Sequence, residues 1–85
     1  MDDEVWGKVE QLLQEMVSGQ QVKLLHCGRR IVPTLTPEDV LQPNDYLELE
    51  NHPYFRYEEG MLAGIQSVQM ALWAWRKAHE ETKET

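Results

Sequence analysis

The chain has 85 residues and a mass of 10.0 kDa, room for a single domain. Apolar residues make up 41% and charged residues 27%, an ordinary globular balance. Fifteen acids against eight bases leave a net charge of -7, which speaks against nucleic acid and anionic lipid as partners, because both select cationic surfaces.

No apolar run reaches the ~18 residues of a membrane span. The first residues, Met1-Asp2-Asp3-Glu4, are acidic where a secretory signal is positive, so the expected location is cytoplasmic. Cys27 is the single cysteine and has no partner for an intramolecular disulfide; a structural zinc site would need several Cys or His ligands. No cofactor is expected. A domain this small buries only about 60–65% of the surface its unfolded chain exposes, so association with another chain is the expected route to stability.

In chain order, residues 3–18 read as a helix. Val5, Trp6, Val9, Leu12, Leu13, Met16 and Val17 recur at three- and four-residue steps, Asp2 or Asp3 can cap the start, and Ser18-Gly19 supplies a stop. Residues 20–32 fit a helical period better than an alternating one, although Gly28 costs about 1 kcal/mol in a helix interior. Pro33 ends that segment.

Thr36-Pro37-Glu38-Asp39 is a compact helix start with the cap, the first-turn proline and an acid three residues on, and it predicts one or two turns. From Gln42 to His52 the chain reads as an ordered connection pinned by Tyr46, Leu47 and Leu49. A long helix is expected from about Asn51–Pro53 to His79, followed by a solvated, frayed tail. The expected domain is thus 1–80, with 81–85 as the tail.

The long helix carries the most informative pattern. Gly60, Gly64, Ser67, Ala71, Ala74 and Ala78 form a stripe of small residues, and Met61, Ile65, Val68, Leu72 and Trp75 form a parallel stripe of large ones. Two stripes imply two neighbours. Either the first helix fills both, or the small stripe meets its own copy across a two-fold axis. Gly60 to Gly64 also matches G-x-x-x-G, a motif whose meaning comes from membranes. Trp73 falls with Leu62, Gln66 and Gln69, with Met70 on the flank. This group reads either as a contact patch or as a Trp half covered by the Tyr46–Leu49 connection.

Candidate chemistry is thin. His26 and Cys27 point about 100° apart on a helix, too far for a catalytic pair. His79-Glu80-Glu81 begins like H-E-x-x-H, but Lys83 stands where the second ligand belongs. Glu58 and Glu59 lack facing ligands at carboxylate-bundle spacing, and read as helix-start acids with Arg56 as a pair. Arg29 and Arg30 are expected to anchor Asp45, Glu48 or Glu50, with an acidic partner as the alternative, and Arg56 to stack on Phe55 or Tyr57.

The sequence therefore predicts an all-α domain, its N-terminal helix antiparallel to a long C-terminal helix, with a short helical middle. The expected function is a non-catalytic protein–protein interaction module. That describes a small acidic adaptor or holding chaperone, homodimeric, with contacts through Gly60, Leu62, Gly64, Ser67, Met70, Ala71, Trp73 and Ala74. The alternatives are a helical carboxylate-metal enzyme using Glu58, Glu59 and a histidine, or an acidic protein that blocks the nucleic-acid site of a basic partner.

Overall fold

The computed structural model describes residues 2–84, apart from the side chains of Asn44 and of residues 81–84. Helix α1 spans Asp3–Ile31, α2 Pro37–Val40, α3 Leu47–Glu50 and α4 Pro53–Glu84, with one 3₁₀ turn at Pro43–Asp45. The described residues are almost wholly helical and contain no strand. The two long helices pack antiparallel, and the short ones close the end where the chain turns.

α1 is one unbroken helix. Asp2 caps it by accepting from the Val5 amide at 2.8 Å, acids fill its first turn, and Arg29 and Arg30 fill its last, each sign complementing the helix dipole. The stop expected at Ser18-Gly19 is absent. No glycine among the described residues has a positive φ, and Val17, Gln20 and Leu24 are buried on one line through that point. Packing on both sides of Gly19 outweighs the roughly 1 kcal/mol that a mid-helix glycine costs.

Thr36 and Asp39 form the reciprocal capping box that their spacing predicts, with Pro37 in the first turn of α2. The connection from Gln42 is ordered but more helical than expected, since it holds the 3₁₀ turn and α3. Leu49 is fully buried and Tyr46 packs beside it, whereas Leu47, expected to pin the segment, faces solvent. α4 continues past the expected end at His79 to Glu84; Thr85 and the side chains of the expected tail lie outside the described residues.

The core is lopsided. Leu24, Leu35, Leu49 and Phe55 form a fully buried cluster at the turn end, with Leu25, Cys27, Ile31, Val32, Val40, Tyr46 and Leu62 against it. The distal end is two helices and nothing else. The molecule measures 52 × 20 × 19 Å, and its radius of gyration is 16.6 Å, against about 12 Å for a compact chain of this length.

Candidate functional site

The face that α4 turns to α1 is set by a seven-residue repeat. Phe55, Glu58, Leu62, Ile65, Gln69, Leu72 and Arg76 alternate three- and four-residue steps, and all are buried or half-buried. α1 answers with Trp6, Leu13, Val17, Gln20, Leu24, Gly28 and Ile31. The seam is unusually polar, and its polar groups find each other. Gln20 Nε2 donates to the Glu58 carbonyl at 3.0 Å and to the Glu58 carboxylate, and Gln69 Nε2 donates to Gln14 Oε1 at 3.4 Å. Arg76 pairs with Asp3, with Glu10 at 3.7 Å and with Glu80 at 2.7 Å. These bonds fix the register, so residues 5–16 of α1 run beside the stretch of α4 that ends near Trp75.

The small stripe is not the seat of α1, so the reading in which the first helix fills both stripes fails. At about 100° per residue, Gly60, Gly64, Ser67, Ala71 and Ala74 sit roughly 160° around α4 from Leu62 and Gln69. They are exposed, and a Cβ added at Gly60 or Gly64 would meet nothing within 4 Å. The patch grouped around Trp73 is divided instead. Gln69 is buried in the seam, Leu62 packs on the core and Gln66 is half-buried, while Trp73 and Met70 remain exposed. Trp73 is not covered by the Tyr46–Leu49 connection, for it lies at the opposite end, beside Trp6, Arg76 and Lys77.

What remains open is one broad side of the hairpin. α1 contributes Val5, Leu12 and Met16 with the half-buried Val9, and α4 contributes Met61, Val68 and Trp75, with Ile65 and Leu72 half-buried at the border with the seam. Leu12 is 57% exposed, Met16 47%, Val68 52% and Trp75 47%. Between the helices on this side runs a shallow groove of about 620 Å³, lined by Leu13, Met16, Met61, Ile65 and Val68, with Gly60, Gly64, Arg56 and Tyr57 at its edge. A second groove, on the opposite side near the turn end, lies between Val22, Leu25, Pro37, Val40, Leu41 and Leu62.

The remaining candidates have structural occupations. Burial pushes the Cys27 thiol up, Glu58 adds to this, and Arg30 partly offsets it; the thiol is thus less ionised than a free cysteine, the reverse of an activated nucleophile. His26 is exposed. His79 stacks on Trp75 with ring centroids 4.0 Å apart, and its Nδ1 lies 2.9 Å from the Trp75 carbonyl. Glu59 pairs with Arg56 at 2.9 Å and Glu58 holds Gln20. Among the described residues, no three His, Cys, Asp or Glu side chains gather where one metal ion could bind, and no helix is long and apolar enough to cross a membrane.

Two expectations about arginines need correction. Arg29 donates to the Leu35 carbonyl at 2.8 Å rather than anchoring Asp45, Glu48 or Glu50, and Arg30 lines a small pocket with Lys23, His26 and Cys27. Among the described residues the arginine over an aromatic ring is Arg76, 5.0 Å from the Trp6 centroid, while Phe55 is sealed in the core away from Arg56. The uncovered apolar side was legible in part as the large stripe of α4 and as Val5, Val9, Leu12 and Met16 of the first helix; that the two lie on one side was not, because it depends on how the helices pair. No family model matches the chain, and neither a curated protein nor a solved structure is significantly similar to it.

Proposed function

We propose that the chain is a non-catalytic protein–protein interaction module, an acidic helical adaptor or holding chaperone that works through the apolar side of its hairpin. One observation carries the reading: both long helices leave the same side apolar and uncovered. Exposed apolar area that is contiguous across two elements marks a contact surface far more often than scattered leucines do. The flanks are polar, so the partner surface is apolar at its centre with a polar rim. Helical hairpins engage such partners by laying side chains of one helix face into the groove of another.

Site-specific photocrosslinking in cells tests this. A photoreactive residue at Met61 is expected to give protein adducts that Val68→Glu abolishes, while the same residue at Gln11, on another face, gives none. Equal adducts from both positions, or none from Met61, would sink the reading.

A further inference from the structure

The uncovered side has the residue spacing of a second packing seam. In a four-helix bundle each helix touches two neighbours and so needs two adjacent apolar seams, each stepping by four and three residues. Both long helices here meet that requirement. Beside its inward seam α1 carries Val5, Val9, Leu12 and Met16; on α4 the exposed Met61, Val68 and Trp75 lie beside Ile65 and Leu72, which the inward seam shares. Both second seams step four, three, four, and the register bonds from Arg76 to Asp3 and from Gln69 to Gln14 bring them level on one side. Half of a four-helix bundle has this form.

The exposed area agrees. The chain exposes 6361 Å², about 1,100 Å² more than the ~5,200 Å² expected of a compact protein of its mass. A stable interface takes about 800 Å² from each partner. A single foreign helix would cover one groove, whereas a face two helices wide is matched by another of the same width.

The extent of the second seam sets the orientation. Continued along α1, it passes to Gly19, Lys23, His26 and Arg30 and ceases to be apolar. Two copies in parallel would set these basic groups against each other. Antiparallel copies keep the turn ends at opposite poles and bring Lys23 and Arg56 of one toward the acidic Asp2–Glu4 end of the other. Resting on the interaction-module reading, we infer that two copies pair antiparallel through this side into a four-helix bundle, each α4 facing its mate with Val68 near the two-fold axis.

Sedimentation equilibrium of the full chain is the test. Wild-type protein is expected at twice the chain mass at about 50 µM, with Val68→Glu and Met16→Glu each weakening association at least tenfold while helical circular dichroism is retained. Leu41→Glu, on the opposite side, is expected to leave the mass unchanged. Should either glutamate variant lose its helix, oxidation of a Cys27→Ser, Val68→Cys chain still decides: it is expected to crosslink to its mate, whereas Cys27→Ser, Val22→Cys is not. A single-chain mass at several hundred micromolar, a dimer indifferent to both glutamates, or preferential crosslinking through position 22 would overturn the pairing. Crosslinks from Met61 to other proteins by a chain that stays single would overturn self-pairing alone and leave the module reading standing.

Discussion

The Arg76 guanidinium lies 5.0 Å from the centroid of the Trp6 ring while its nitrogens reach Asp3, Glu10 and Glu80. This contact ties the distal part of α4 to the first turns of α1, where the fully buried core cluster does not extend. A cation over a ring contributes about 0.5–1 kcal/mol at an exposed site, and partly exposed ion pairs add little beyond that. Arg76→Ala is accordingly expected to cost about 1 kcal/mol in urea unfolding and to speed amide exchange at residues 6–10. Unchanged exchange there would show that the clamp holds nothing.

Gln20 is buried and donates twice to Glu58, so Gln20→Ala removes a bond and leaves a partly buried carboxylate without its donor. A loss of about 1–3 kcal/mol follows from the desolvation of the group left behind. Equilibrium unfolding measures it, and a loss under about 0.3 kcal/mol would contradict the seam as drawn.

Gly19 and Gly28 are expected to respond in opposite directions. A Cβ at Gly19 meets nothing within 4 Å, so Gly19→Ala gains helix propensity of up to about 1 kcal/mol and raises the melting temperature. A Cβ at Gly28 would run into Leu35 Cδ2 and come within 3.3 Å of Phe55 Cε2, so Gly28→Ala is expected to destabilise by about 1–3 kcal/mol through overpacking. Calorimetry of the two variants decides, and a lower melting temperature for Gly19→Ala would restore the helix break expected from sequence.

The capping box predicts a pH response. The Thr36 amide donates to Asp39 at 2.9 Å, and this bond, helped by the Thr36 hydroxyl, holds the Asp39 carboxyl below its ordinary 3.8. A depressed native value means that the contribution is complete above the ordinary value and is lost as pH falls through the lowered one. The Thr36 amide resonance is therefore expected to titrate with its midpoint below 3.8, and Asp39→Asn to abolish the shift. A midpoint above the ordinary value would reverse the sign and exclude the bond.

Cys27 gives a reactivity prediction. Its thiol is raised above the ordinary 9.0, chiefly by burial, so alkylation near neutral pH is expected to lag a free cysteine and to keep accelerating past 9.0. Faster reaction than free cysteine at pH 7 would contradict the packing around it.

Helix content and the antiparallel pairing were legible because periodicity, capping acids and Pro37 are local signals. Two things were less so. The Ser18-Gly19 stop is a local signal too, and it lost to Val17, Gln20 and Leu24, whose burial depends on α4. The face that α4 turns to α1 was legible only in part: Ile65 and Leu72 of the large stripe belong to it, but Glu58, Gln69 and Arg76 complete it where an apolar stripe was expected. That polar face is buried because α1 supplies Gln20, Gln14, Asp3 and Glu10 opposite each polar group, a complementarity no single helix displays. The richer apolar face is thereby left outward.

The dependence of thermal unfolding on protein concentration decides whether two copies pair, because a seam closed by a second copy makes stability a function of how much chain is present. A hundredfold rise in concentration strengthens a dimer by about 2.7 kcal/mol, enough to move the midpoint by several degrees in a chain of this size. That rise is expected for the wild type and is expected to vanish in Val68→Glu. A wild-type midpoint that stays fixed across that range would contradict the pairing.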